Sequence, residues 1–165
     1  MAALTDDEIA RYRRDGYLVP SYALSPEWVA RMQGALNTLI AQNPGVRPEE
    51  LVSAHIEGQN NEGVVGCQDF LDLAMHPDII DLVSHVLGPD LILWGCHVFC
   101  KPAHEGFETP WHQDGHYWPI RPLATCTVWV AIEPSTRANG CLRVIPGSHQ
   151  GKHLHEHLHE DRTDL

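Results

Sequence analysis

The apolar positions of the first half of the chain recur at helical spacing in three places. Thr5 followed by Glu8 has the spacing of a capping box, which predicts a helix over 6–15 stopped by Gly16. "GYLVP" (16–20) then predicts a short strand ended by Pro20. Ser25-Pro26 reads as an N-cap with a first-turn proline, after which Val29, Met32, Leu36, Leu39 and Ile40 share one helical face until Asn43-Pro44-Gly45. Residues 44–66 carry Gly, Pro, Asn and Glu without a clear period and predict a long loop, functional or mobile. A third helix is predicted over 76–87, with Ile79, Ile80, Val83, Val86 and Leu87 buried and Gly88-Pro89 closing it.

Beyond residue 90 the period changes. "LILWGCHVFC" (91–100), "TCTVWVAIE" (125–133) and "GCLRVIPG" (140–147) are β-rich and bounded by Pro, Gly, Asn and Ser. Helices first and strands afterwards predict an α+β, mainly β fold: an antiparallel sheet or sandwich with helices packed outside it, not a doubly wound parallel sheet. The expected division is one domain over 1–165, with a helical part (1–90), a β core (91–149) and a polar, histidine-rich tail (150–165). The final "HQGKHLHEHLHEDRTDL" holds His149, His153, His155, His157 and His159, shows no apolar face and ends without a terminating element, so the sequence reads as a β domain cut short.

Composition narrows the classes. A chain of 165 residues, 43% hydrophobic and 20% charged, suits one globular domain burying about 70% of its unfolded surface. A net charge of −11 argues against nucleic-acid binding and against attraction to anionic membranes. No apolar run approaches the ~20 residues that span a bilayer, and "MAALTDDEIARYRRDGY" lacks the apolar core of a secretory signal. Cys67, Cys96, Cys100, Cys126 and Cys141 are odd in number and form no C-x-x-C, which favours reduced thiols buried as small apolar residues and a cytoplasmic location.

The densest chemistry lies in "TPWHQDGHYWPI" (109–120). On an extended segment His112 and Asp114, two apart, point to one side with Gln113 on the other. Imidazole nitrogen with carboxylate oxygen suits Fe(II) and similar divalent metals; one more histidine would make a 2-His-1-carboxylate triad with open positions. In a chain with 12 histidines such a tripeptide also arises by chance. Trp111, Tyr117 and Trp118 could wall such a site, or simply pack. Gly115 and Pro119 argue against a helix here, so His116 reads as an outer or solvent-facing group, and Gln113 or His116 would orient the ligands by hydrogen bonds.

"LTDDEIARYRRDGYLVP", "CQDFLDLAMHPDIIDLVSHVLGPDLIL", "CKP", "WHQDGHYWPI" and "TVWVAIEPSTRANGCLRVIPGSH" together resemble the phytanoyl-CoA dioxygenase family, in order and spacing, over essentially the whole chain. The resemblance implies a double-stranded β-helix (jelly roll) with buttressing N-terminal helices, incomplete in this chain. It implies Fe(II)- and 2-oxoglutarate-dependent oxygenation with O2, ascorbate being an optional addition. His112 and Asp114 match the first two iron ligands, and Trp129 matches a position lining the 2-oxoglutarate pocket. Gln68-Asp69-Phe70 matches a segment leading towards the site, and Gly66 stands where some relatives carry a cosubstrate-binding lysine. Arg143 and His149 are expected to be structural. The family's third ligand, a late histidine, and the arginine that grips 2-oxoglutarate are expected beyond Leu165.

The function expected is therefore hydroxylation of a small-molecule or acyl substrate, with no nucleic-acid or membrane partner and an open oligomeric state. The alternatives are an inactive jelly-roll fragment without a complete triad, and a weak metal binder working through its histidine-rich tail.

Overall fold

A computed structural model describes residues 2–106 and 108–158. Helix α1 (Asp6–Asp15) starts as the capping box requires: the Thr5 hydroxyl accepts from the Glu8 N–H at 3.2 Å, and the Glu8 carboxylate accepts from the Thr5 N–H at 2.9 Å. The second oxygen of Glu8 accepts from the N–H and hydroxyl of Ser21 at 2.9 and 3.0 Å. The backbone N–H of Thr5, then that of Ser21, hold this buried carboxyl down to about 2. Glu8 thus fixes both the start of α1 and the chain that leaves it. The strand expected over 16–20 does not form: no neighbour offers it a ladder, and Tyr17 and Val19 are exposed.

Helix α2 (Pro26–Gln42) buries Met32, Ala35 and Leu39. Asn43 terminates it and is itself buried, its amide donating to Leu39 O and Val65 O at 2.8 and 3.0 Å while its carbonyl accepts from the Val65 N–H at 2.7 Å. Residues 44–66, expected from the sequence as a long loop, functional or mobile, carry short elements of defined structure. They hold a 3-10 turn (Pro48–Glu50) and an antiparallel hairpin of β1 (Gly58–Gln59) and β2 (Val65–Gly66), with Gly58 opposite Gly66. Leu51, Ala54 and Val64 are fully buried there, and the Asn60 amide donates to Val52 O and its carbonyl accepts from the Val64 N–H. The segment buries single residues at turns, so it leaves no period to read.

Helix α3 (Gln68–Ala74) was not foreseen, because seven residues give too short a pattern; it buries Phe70 and Leu73. His76-Pro77 separates it from α4 (Pro77–Leu87), where the His76 ring accepts from the Asp78 N–H at 3.2 Å. Of the face expected on α4 only Ile79 is buried, and Leu87 is 39% exposed. Arg31 of α2 stacks over Trp28 and pairs with Asp69 and Asp72 of α3. Exposed pairs of this kind contribute little, so the α2–α3 contact rests on Phe70 and Leu73.

The three β-rich runs form no strand ladder with one another among the described residues. The run 91–100 lies against 51–54 through Val98 N–H to Leu51 O and Ala54 N–H to Cys96 O, at 3.1 and 3.0 Å, and only Val98 of this run is buried in the core. Ile92, Phe99, Trp129, Leu142 and Ile145 remain exposed. β propensity is a preference for a pleated, half-buried surface, and realising it takes a partner strand. All five cysteines are half-buried and unpaired.

The far end of the chain returns to α1. Gly147 N–H donates to Asp15 O (2.7 Å), the His149 ring meets Arg13 O (3.0 Å), and the Gln150 amide donates to Arg14 O (3.0 Å). These are carbonyls that a helix leaves open at its C-terminus.

Two stability measurements follow from Glu8 and Gly66. A carboxyl held at about 2 when folded, and near its ordinary ~4.3 when unfolded, stabilises the fold at neutral pH. That contribution fades as pH falls from ~4.3 towards 2, so Glu8→Gln is expected to lower Tm at pH 7 and to flatten the acid limb of the Tm profile; parallel profiles would contradict this. A Cβ on Gly66 would lie 2.3 Å from Ile56 O and 2.5 Å from Ala54 O, both backbone atoms. Gly66→Ala should cost about 1–3 kcal/mol by overpacking, or ~2–4 °C of Tm per kcal/mol, and an unchanged Tm would refute the close approach.

Candidate metal centre

The geometry of the 109–120 motif starts at Pro110. The His112 Nδ1 lies 2.8 Å from Pro110 O, an atom that can only accept, so Nδ1 carries the proton of the neutral ring and Nε2 is left with a lone pair. Gln113 is extended (φ −119°, ψ 119°), which turns His112 and Asp114 to one side as their spacing predicts. The His112 Nε2 then lies 3.2 Å from Asp114 Oδ1. The other carboxylate oxygen, Oδ2, accepts from the Thr127 hydroxyl at 3.1 Å. A lone pair facing a carboxylate oxygen at that distance calls for a cation between them, either a proton on Nε2 or a metal ion.

The donor set meets the requirements of a divalent metal. Two neighbouring ligands on one ion, each bonded at about 2.1 Å, would lie ~3.0 Å apart in an octahedral site, close to the separation here. The side chains are 37% and 40% exposed, so an ion has a way in. Pro110 O and Thr127 supply the hydrogen bonds that fix ring tautomer and carboxylate rotation. Among the described residues no group of three or more His, Cys, Asp or Glu could hold a metal, so these residues offer a pair and not a triad.

The expectation of no helix in the motif needs correction. Asp114–Tyr117 forms one turn, α5, closed by a Trp118 N–H to Asp114 O bond of 3.3 Å. Trp118 is extended (φ −99°, ψ 130°), as the residue before a proline tends to be, so Pro119 ends the turn and does not prevent it. His112 precedes the turn, and His116 therefore does not share a helical face with it. The His116 ring stacks on His157 with centroids 4.0 Å apart and meets the Tyr117 edge at 5.0 Å. Tyr117 also approaches the His112 ring, at 6.1 Å.

The remaining expected residues divide. Trp118 packs beside Trp94 (6.4 Å), while Trp111 is covered by the Arg143 guanidinium at 5.0 Å, which gives Arg143 a packing role. Trp129 is 44% exposed, two positions after Thr127, and no hydrogen bond or ring contact ties it to His112 or Asp114 among the described residues. Asp69 is engaged by Arg31 and Phe70 belongs to the core. Gly66 sits where backbone carbonyls leave no room for a side chain, so a lysine there would need a different hairpin. His149 caps α1.

Sequence reasoning missed three neighbours. Thr127 carries no local signal, because only the fold brings it to Asp114. His97 lies near enough to Asp114 to feel its charge; burial lowers its ring below the ordinary imidazole value, His55 adds to this, and Glu62 and Asp114 oppose it. His157 was read as part of a solvated tail, but Leu154 and His157 are half-buried against the motif. His159 lies outside the described residues.

Comparison with known proteins finds a family match over nearly the whole chain. The family model described as phytanoyl-CoA dioxygenase (PhyH) matches residues 12–164. The chain is 32% identical over 166 residues to a probable phytanoyl-CoA dioxygenase of Caenorhabditis elegans, covering 88% of this chain and 53% of that protein. It is 32% identical to the peroxisomal phytanoyl-CoA dioxygenase of Rattus norvegicus (90% and 42% covered) and 30% identical to the L-proline trans-4-hydroxylase of Streptomyces griseoviridis (91% and 57%). The chain spans about half the length of the curated relatives it matches. No solved structure matches it. The family's fold is a jelly roll and its relatives are dioxygenases that hydroxylate small molecules. This chain belongs to the phytanoyl-CoA dioxygenase family.

Proposed function

We propose that this chain carries the iron-binding half-site of an Fe(II)- and 2-oxoglutarate-dependent oxygenase that hydroxylates a small molecule. The observation that carries the reading is the His112 Nε2 lone pair held 3.2 Å from Asp114 Oδ1, with the outer atom of each side chain already engaged by Pro110 O and Thr127. Fe(II), with 2-oxoglutarate and O2, would supply the oxidising power for C–H hydroxylation. His112 would bind through Nε2 and Asp114 through Oδ1, and among the described residues no further His, Cys, Asp or Glu is grouped with them. Tyr117, against the His112 ring, would keep bulk water from one side of the pair. Trp129, on the same run as the Thr127 that holds Asp114 in place, is our candidate for lining the cosubstrate pocket.

The jelly roll belongs to this proposal too. Exposed Ile92, Phe99, Leu142 and Ile145 on the β-rich runs are the apolar faces that such a sheet pair would cover. The relatives' names, which include phytanoyl-CoA, L-proline and ectoine, support a small-molecule substrate without choosing one. Five unpaired cysteines suit a reducing compartment, and we keep the cytoplasm as the proposed location. No helix among the described residues is long and apolar enough to cross a membrane.

A metal-handling role for the tail has less support, since both ring nitrogens of His157 are already hydrogen-bonded. The test is Asp114→Ala in the intact protein, read as Fe(II)-dependent turnover of 2-oxoglutarate. Turnover should fall at least 100-fold; turnover equal to the parent's would end the assignment.

A further inference from the structure

Gln113 lies between the two candidate ligands, and every hydrogen-bonding group it offers on the side away from them ends on one distant segment. Its backbone N–H donates to His157 Nε2 at 2.9 Å. Its side-chain amide donates to His153 O at 3.1 Å, and its side-chain carbonyl accepts from the His155 N–H at 2.8 Å. The partners are 40 to 44 residues away in sequence, so no local turn accounts for the contact.

The His157 ring is prepared for this. Its Nδ1 lies 2.9 Å from His155 O and donates to it, which leaves Nε2 as the acceptor that the Gln113 N–H needs. The ring is held flat against His116, at 4.0 Å and 24°, with the Tyr117 ring 5.5 Å away at a steep angle. Leu154 closes over the turn: a Cβ on Gly115 would lie 3.4 Å from its Cδ2 and 3.4 Å from that of Leu123.

We propose that residues 153–157 strap the metal motif, with His157 and Gln113 as positioning residues that hold His112 and Asp114 at ligand separation. The inference rests on the metal-centre reading above. The mechanism is geometric. The Gln113 N–H shares a peptide plane with the His112 carbonyl, so anchoring that plane limits rotation between the two ligand-bearing residues. The side-chain bonds fix the opposite face of Gln113, so a swing about its N–Cα bond that carries Asp114 away from His112 strains them, while the His116 N–H to Gln113 O bond at 2.9 Å restrains rotation about its Cα–C bond. A pair of ligands set in advance loses less freedom on meeting its ion, and outer partners of this kind typically govern metal affinity by ~10- to 100-fold.

The test uses Mn(II), a stable paramagnetic stand-in for Fe(II), on this chain, with NMR read in two ways. Amide exchange at Gln113 should be slow in the parent and fast in His157→Ala. The Mn(II) concentration that half-broadens the amide signals of residues 112–118 should rise ~10- to 100-fold in His157→Ala. His157→Gln, whose side-chain oxygen can still accept from the Gln113 N–H, should recover most of both, which loss of general packing would not allow. A fast-exchanging Gln113 amide in the parent overturns the strap. So does an unchanged Mn(II) midpoint in His157→Ala, or a His157→Gln that behaves like a chain without the contact. Should His157→Ala fail to fold, the parent and His157→Gln measurements decide. Asp114→Ala separates the two ideas: if it responds to Mn(II) as the parent does, the metal centre fails while the exchange result still judges the strap.

Discussion

Three carbonyls at the end of α1 decide where the last part of the chain runs. Arg13, Arg14 and Asp15 leave their oxygens open, as every helix does at its C-terminus, and His149, Gln150 and Gly147 take them. The contact requires Gly16, which turns left-handed (φ 82°) and has no Cβ; a Cβ there would lie 2.3 Å from His149 Nδ1. With 147–150 fixed on α1, residues 153–157 are delivered to Gln113 and the metal motif is closed on its outer side. A helix end in the first tenth of the chain thus governs the surroundings of a site near residue 113.

The site depends on a division of labour between inner and outer atoms. Pro110 O accepts from the His112 Nδ1–H, and the Thr127 hydroxyl donates to Asp114 Oδ2. What remains is a nitrogen lone pair and a carboxylate oxygen facing each other, an arrangement that favours a positive centre between them. Neither atom is deeply buried, so the cost of bringing an ion is low and the specificity must come from ligand geometry and from whatever completes the set.

The parts legible in the sequence were those governed by local chemistry. The Thr5–Glu8 capping box, the Ser25-Pro26 start and the Gly16 stop each need only a few consecutive residues, and all three helix boundaries stand where the sequence puts them. The spacing of His112 and Asp114, read with the family resemblance, located the candidate pair. What could not be read depends on distant partners. Residues 44–66 lack a period because Leu51, Ala54, Val64 and Asn60 are buried one at a time, Leu51 and Ala54 beside the run 91–100 and Asn60 by bonds within the segment itself. The β-rich runs have the composition of strands, but composition supplies no partner. Thr127 and His157 join the site only through the fold, and the tail that looked featureless is fastened by backbone atoms that sequence patterns do not display.

The proposed entry point for the metal is His112 with Asp114, not the histidine-rich tail. An anaerobic Fe(II) titration of this chain, followed by the imidazole proton signals of assigned histidines, tests it directly. The His112 resonances should shift and broaden at lower Fe(II) than those of His153 and His155, and Asp114→Ala should remove this preference. Tail histidines responding first, with His112 following or unaffected, would contradict it.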